Sequence, residues 1–299
     1  MHKEKLSYGL LLETSKKMQM PFADLLGGVV LENIIARIAG SANKENLWLR
    51  NSNVIGKEQY QKNLVLHLEY DYVIGKLKKA DPEKNEQTLL MDLAGQLEMI
   101  FADTESGVSY RMKKQVQKQD LRIQLNARIE EMQIPVSLKM HLMFDEKKIP
   151  KKESFMSIVF PKTEVTYYSY PVEAFLAENF IEAVVKLELI QDMKVYYDIY
   201  YLLERESVDG RKVKDYIDEE CEKKQIKKET ERLAMIASYR DYTYMKKKWK
   251  VFLRSIKEKE PQWEMVIERF LCFFEPIWQA VIEDFVFFGD WMPELNRFL

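Results

Sequence analysis

Cysteine is scarce in this chain: there are two in 299 residues, Cys221 and Cys272. Two cysteines cannot build a disulfide framework or a four-ligand zinc site, and such usage fits a reducing compartment. Histidine is nearly as rare, with His2, His67 and His141 far apart in sequence, which argues against a histidine-rich metal centre. Ten glycines and nine prolines, beside 46% apolar and 12% aromatic residues, exclude a disordered chain. An excess of one charge is also missing. The 46 Lys and Arg nearly balance 48 Asp and Glu, leaving −2, so no global field draws the chain to bulk nucleic acid. Long apolar runs are absent: the greasiest stretch, RFLCFFEPIWQAVIEDFVFFG, is broken by Glu275, Pro276, Glu283 and Asp284. Nothing approaches the roughly 18 apolar residues of a spanning helix, and MHKEKLSYGLL lacks the h-region of a signal peptide. The expectation is a cytoplasmic protein with no membrane partner, made of one large domain or two modest ones.

What is there divides into two textures near residue 170. Before it, strand-like alternation recurs. LVLHLEYDYV (64–73) sets Val65, His67 and Glu69 on one face. Leu121, Ile123, Leu125 and Ala127 share a face further on, as do Leu138, Met140 and Leu142. SFMSIVFP (154–161) reads as a strand stopped by Pro161. VVLENIIARIAG (29–40) has helical spacing and a stop at Gly40. From Pro171 the pattern turns helical. The segments EAFLAENFIEAVVKL and MKVYYDIYYLLE are followed by a highly charged stretch over 210–232. A basic patch, MKKKWKVFLR, comes next, and then a long helix that Pro276 should bend or restart. The expected class is α+β: a mixed sheet with flanking helices over 1–169 and a helical C-terminal region over 170–299.

Candidate chemistry is sparse. Gly27-Gly28 stands before the helical run from Val29, where backbone N–H groups could approach a phosphate at a helix start; a tight turn is the plainer reading. A divalent-ion site needs carboxylates alternating on one strand face. The strand after the glycine pair, KENLWLRN, offers Asn46, Trp48 and Arg50 instead, and later strands carry Lys139 and His141. Lys194 and Asp198 are spaced to pair across one helical turn, and Lys194 could then reach a nucleotide phosphate. The cluster Tyr196, Tyr197, Tyr200 and Tyr201 reads as packing before base stacking. The basic runs Arg111–Lys118 and Lys246–Lys250 read as solvated faces before RNA contacts.

The stretch YPVEAFLAENFIEAVVKLELIQDMKVYYDIYYLL (170–203) closely resembles the signature of the AbiEii/AbiGii-type toxin family of nucleotidyltransferases. Its Tyr-Pro-x-Glu, Leu-Ala-Glu and Lys-x-x-x-Asp elements stand in the family's order. The similarity extends to Gly27-Gly28, to residues 121–146 and to residues 247–277. The resemblance implies a nucleotidyltransferase fold and transfer of a nucleoside monophosphate from an NTP with Mg²⁺ held by strand aspartates. It also implies a toxin–antitoxin or abortive-infection phage-defence setting, with a cognate antitoxin as partner and tRNA among the acceptors. The chain departs from the pattern at the metal ligands. The family's Asp-x-Asp falls on Asn46-Leu47-Trp48 and its third aspartate on Lys139. Asn179 and Val195 replace a Lys and an Asp, and Asp192 replaces an Arg. Gly27, Gly28, Glu173, Glu178, Lys194 and Asp198 remain: Lys194 and Asp198 as a catalytic remnant, and Gly27, Gly28 and Lys194 as the nucleotide contacts.

The expectation is therefore a degenerate transferase that acts by binding, with no metal site and no required cofactor. The alternative is an active enzyme using NTP and Mg²⁺, with a displaced site built from Glu69, Asp71 or Asp145. A second alternative is an interaction subunit with no nucleotide role.

Overall fold

The computed structural model describes residues 5–50, 54–56, 59–60, 66–74, 85–118, 120–144 and 148–299. The chain divides into two compact units, Met1–Tyr170 and Pro171–Leu299. Its class is α+β.

In the first unit, helices α1 (Tyr8–Met18) and α2 (Phe22–Ala39) lead into strands β1 (Leu47–Leu49) and β2 (His67–Val73). Helix α3 (Glu86–Ala102) follows, then β3 (Ser109–Gln117), β4 (Asp120–Ile129), β5 (Met132–Met143), β6 (Lys151–Met156) and β7 (Glu164–Ser169). The strands form one mixed sheet of seven in the order β3-β4-β5-β2-β1-β7-β6. Its interior pairs are parallel where β2 meets β5 and β1 meets β7, and antiparallel elsewhere.

The alternation of β4 and β5 makes the sheet one-sided. Leu121, Ile123, Leu125 and Ala127 lie buried in the same core as Val136, Leu138 and Met140. Leu68 and Tyr70 of β2 join them, and α2 and α3 cover that face with Ile34, Ile35, Leu90, Leu93 and Leu97. The opposite face carries Arg122, Gln124, Ser137, Lys139, His141, His67 and Glu69, none of them buried. Period-two alternation with one apolar face is what an antiparallel ladder covered on one side requires.

Three local readings differ from the sequence expectation. Helix α2 begins at Phe22, so Gly27-Gly28 sits neither in a turn nor at a loop-to-helix junction. The pair is tolerated inside the helix because something must approach there: a Cβ on Gly28 would come within 2.3 Å of the Tyr60 ring, and one on Gly27 within 3.1 Å of Leu66. Strand β6 ends at Met156, and the chain turns over 157–163 before Pro161 could act as the stop. Pro276 lies inside a continuous helix, described below.

Glu32 is the polar tie of the apolar helix α2. It is buried, accepts the Tyr60 hydroxyl at 2.7 Å and accepts the Ile158 N–H at 3.0 Å. It thereby anchors two loops on one helix. Burial pushes its carboxyl above the ordinary range, and the hydrogen bonds from Tyr60 and Ile158 pull it partly back.

The second unit contains α4 (Val172–Lys186), α5 (Lys194–Arg205), α6 (Gly210–Lys224), α7 (Thr230–Ser238), α8 (Thr243–Ser255) and α9 (Trp263–Ile282). A small antiparallel sheet, β10-β9-β8, joins Val208–Asp209 (β8), Asp290–Met292 (β9) and Arg297–Phe298 (β10). Its core is aromatic: Phe180 stacks on Phe274 at 4.5 Å, and Tyr196 meets Trp263 edge-on at 5.1 Å. Each buried indole finds a backbone carbonyl. Trp249 donates to Pro261, Trp263 to Tyr239, Trp278 to Glu229 and Trp291 to Leu203. This is how tryptophan enters a core without stranding its N–H. Pro276 does not break α9, because Phe273, Phe274, Ile277 and Trp278 on both sides of it are buried in that core and hold the helix together.

Two stability outcomes follow. Gly28→Ala gains about 1 kcal/mol of helix propensity but presses a methyl into a ring fixed by Glu32. The net loss should be about 1–2 kcal/mol, read as a lowered thermal midpoint; an unchanged midpoint would refute the packing role. For Glu32, the folded state holds the proton more tightly than the unfolded chain. Its contribution is complete below the unfolded carboxyl value and is lost as pH rises through the raised folded value. Urea midpoints at about pH 5 and about pH 8 should therefore differ more in the natural protein than in Glu32→Gln.

Candidate functional site

The polar sheet face concentrates the ionisable residues of the first unit. Its geometry follows from the β2–β5 register, which sets His67 opposite Ser137, Glu69 opposite Lys139 and Asp71 opposite His141. The β4–β5 register adds Asp120 opposite His141 and Arg122 opposite Lys139. Because residues i and i+2 share a strand face, Glu69 and Asp71 present two carboxylates on the same side of β2.

Both carboxylates are already engaged. Asp71 is buried and accepts two bonds from the Arg50 guanidinium, at 2.9 and 3.2 Å. Arg50 also lies over the Tyr170 ring, 4.5 Å from its centre. Glu69 accepts from His67 Nε2 at 2.8 Å, and His141 Nε2 stands 3.7 Å from its other oxygen. The remaining nitrogen of each imidazole is occupied too: His141 Nδ1 meets Asp120 at 2.9 Å, and His67 Nδ1 meets Ser137 Oγ at 2.7 Å. Lys139 completes the chain on Asp120 at 3.3 Å.

The residues present do not fit a Mg²⁺ pair. Each carboxylate of β2 carries its own nitrogen partner, and the two facing positions on β5 hold Lys139 and His141 in place of a third acid. Hard divalent cations need several oxygens left open to them. Among the described residues, no group of three or more His, Cys, Asp or Glu side chains is arranged to hold a metal ion.

Asn46 lies in the turn before β1, where its carbonyl accepts the Val73 N–H at 2.8 Å. Trp48 is central to β1, paired in register with Asp71 on one side and Tyr168 on the other. It is buried on the polar side of the sheet, and its indole donates to the Glu45 carbonyl at 2.8 Å. Both residues line a cavity of about 340 Å³ together with Lys148 and Tyr168. Lys148 is itself buried and bonds the Tyr170 hydroxyl. Lys139 is not at this cavity.

Gly27 lines a different cavity, of about 570 Å³, with Leu66, Gln124 and Ser137. Neither Gly27 nor Gly28 can cradle a phosphate with backbone N–H groups. Both lie beyond the first turn of α2, where N–H groups are bonded within the helix, so the expected role at a helix start is corrected to close packing.

In the second unit, Lys194 and Asp198 do pair across one turn of α5, with Lys194 exposed and Asp198 buried. The tyrosines of α5 pack: Tyr196 is fully buried, and Tyr200 lies under Arg269, 4.0 Å from the ring centre. Glu173 lies in the first turn of α4 and is half-buried, as is Asn179, whose amide donates to the Phe175 carbonyl. The basic runs are partly spent locally. Lys114 pairs with Glu98, Lys246 with Glu264 and Asp241, and Lys248 bonds the carbonyls of Glu188 and Ile190. Asp145 lies outside the described residues.

Strand β1, where the family's acids are expected, carries none, and two of the acids named for a displaced site, Glu69 and Asp71, stand together on β2. Their i, i+2 spacing was the available signal. Their partners were not legible, since Arg50, Ser137 and His141 meet them only through strand order.

No protein-family model matches the chain, and no curated protein matches it. Two of the solved structures to which it shows similarity are from Helicobacter pylori. One is an H. pylori protein named provisionally as a nucleotidyltransferase, at 10% identity and TM-score 0.45, covering 93% of this chain and 97% of that one. The other is JHP933 from Helicobacter pylori, at 9% identity and TM-score 0.45, covering 93% and 94%. Among the described residues no helix is long and apolar enough to cross a membrane.

The facing of Glu69 and Lys139 yields a direct test. Lys139→Asp sets three carboxylates on adjacent strands and should cost about 0.2–1 kcal/mol through like-charge contact. Millimolar Mg²⁺ should then raise the thermal midpoint of the variant and leave that of the natural protein unchanged. A midpoint that rises equally in both would show that the natural face already takes the ion.

Proposed function

We propose that this chain is a nucleotidyltransferase-like protein of the AbiEii/AbiGii toxin type that binds nucleotide without transferring it. The reading combines the signature over residues 170–203 with one observation that carries it. The two carboxylates of β2, which a transferase would give to metal, are held by Arg50 and His67, and Lys139 faces Glu69. Metal-assisted phosphoryl transfer rests on divalent charge placed at the phosphates, so such a face supports binding over chemistry.

The nucleotide has a fitting place in the first unit. Trp48 and Tyr168 line the cavity of about 340 Å³ beside Asn46, and Lys148 brings a cation to it. Aromatic walls suit a base, an amide suits its polar edge, and an ammonium suits a phosphate. The second unit carries its own candidate phosphate contact in Lys194, exposed and paired with Asp198 on α5. The biological setting it carries is cytoplasmic toxin–antitoxin or abortive-infection defence, with a cognate antitoxin or another protein as partner and tRNA as an acceptor-like ligand.

A second reading is favoured by one feature. Glu69 and Asp71 do share a strand face two residues apart, which is the spacing an active Mg²⁺-dependent transferase would use.

Transfer from radiolabelled NTPs to tRNA or protein should be undetectable with or without Mg²⁺. Calorimetry should show NTP binding whose affinity changes less than about threefold on adding EDTA, and Lys148→Met should weaken it about tenfold, the loss of roughly one charge-assisted bond. Mg²⁺-dependent transfer that disappears in Glu69→Gln or Lys194→Ala would overturn the proposal in favour of the active enzyme.

A further inference from the structure

Ser137, His67 and Glu69 form a hydrogen-bonded series that nucleotide binding does not use. Ser137 Oγ lies 2.7 Å from His67 Nδ1, and His67 Nε2 lies 2.8 Å from Glu69 Oε1. The protonation pattern follows from the partners. An ionised carboxylate only accepts, so Nε2 carries the hydrogen and the neutral ring keeps its lone pair on Nδ1. In the neutral ring the Ser137 hydroxyl donates to that lone pair, the arrangement of a serine activated by a general base whose tautomer a third group fixes. Sheet register enforces it: His67 and Ser137 are direct cross-strand partners, and Glu69 is two residues along the same face.

The serine also opens on a chamber. Ser137 lines the cavity of about 570 Å³ whose described walls include Leu26, Leu66, Ile134 and Val136. Among the described lining residues Asp24 is the one carboxylate, and none is a Lys or Arg. Its mainly apolar described walls suit an uncharged acyl chain. Gln124, directly across the β4–β5 ladder from Ser137, lines the same space with a side-chain amide that can donate to an oxyanion.

We propose that Ser137, His67 and Glu69 constitute a serine esterase site for carboxylic esters with an apolar acyl group, with Gln124 as an oxyanion donor. Ser137 Oγ attacks the ester carbonyl carbon while its proton passes to His67 Nδ1. The carbon–alkoxy bond then breaks, and the alcohol leaves with that proton. Water attacks the acyl-serine, gives its proton to His67 and releases the acid, with Oγ reprotonated. No oxidant, reductant or metal enters, and water is the co-reactant. Glu69 is a positioning residue, and the proposal rests on the preceding reading only in that Glu69 is held by imidazole and not by a divalent ion.

The test uses the full chain with a fluorophosphonate probe followed by peptide mass spectrometry, and with p-nitrophenyl butyrate and octanoate in EDTA. The expected result is one adduct, on Ser137, and EDTA-insensitive hydrolysis absent from Ser137→Ala. His67→Gln should lower kcat about 100-fold or more, in keeping with loss of a general base. Glu69→Gln should lower kcat with KM unchanged, because an amide can present a donor to Nε2 and spoil the tautomer. Circular dichroism of each variant checks its fold. Absence of the Ser137 adduct from folded protein, or hydrolysis that persists in Ser137→Ala, would overturn the esterase and leave nucleotide binding standing. Nucleotide transfer found in Ser137→Ala would overturn the earlier reading and leave the esterase standing.

Discussion

The parallel pairing of β2 with β5 is the constraint on which everything else in the first unit depends. In one register it sends Leu68, Tyr70, Leu138 and Met140 into the core and sets His67, Glu69, Ser137, Lys139 and His141 on the opposite face. A slip of one residue would exchange those faces and bury two histidines and two charges. The cost of that exchange fixes the polar constellation, so the chemistry of the face follows from burying the apolar one. Neighbouring β1 brings Arg50 to Asp71, and His67, two residues along β2, meets Glu69, so each carboxylate has a nitrogen neighbour.

Much of this fold was legible because period-two alternation and helical spacing are local properties. The alternating sets on β4 and β5 and the apolar spacing over 29–40 lead directly to the mixed sheet with its covering helices, and the helical segments after Pro171 are just as plain. What failed locally failed for tertiary reasons. Gly27-Gly28 reads as punctuation in sequence, yet it lies inside a helix where the Tyr60 ring pinned by Glu32 packs against Gly28 and Leu66 against Gly27. Pro276 reads as a break, yet the aromatic residues around it are buried on one face and carry the helix past it. Arg111–Lys118 reads as a basic surface, and it is: most of it is the exposed edge strand β3, where lysine also discourages edge-to-edge pairing.

The candidate site was less legible. Glu69 and Asp71 enter the sequence reading only as acids of a displaced alternative site, and Lys139 and His141 as residues standing where an acid was expected; a site is made of partners, and partners are set by strand order. Arg50 reaches Asp71 because β1 lies antiparallel beside β2; Ser137 reaches His67 because β5 lies parallel on its other side. Neither adjacency can be read from one chain without the topology. The Lys194–Asp198 pair, by contrast, needed only the helical repeat, and it formed.

The central claim is that the acids of β2 are committed to Arg50 and to imidazole and therefore decline a divalent ion. Electron paramagnetic resonance titration of the natural protein with Mn²⁺, alone and with a saturating NTP, tests this most directly. The expected result is no stoichiometric Mn²⁺ on the chain alone and, with NTP, only Mn²⁺ carried by the nucleotide, with Glu69→Gln and Asp71→Asn indistinguishable from the natural chain in both titrations. One tightly held Mn²⁺ per chain that is lost in Glu69→Gln or Asp71→Asn would contradict it.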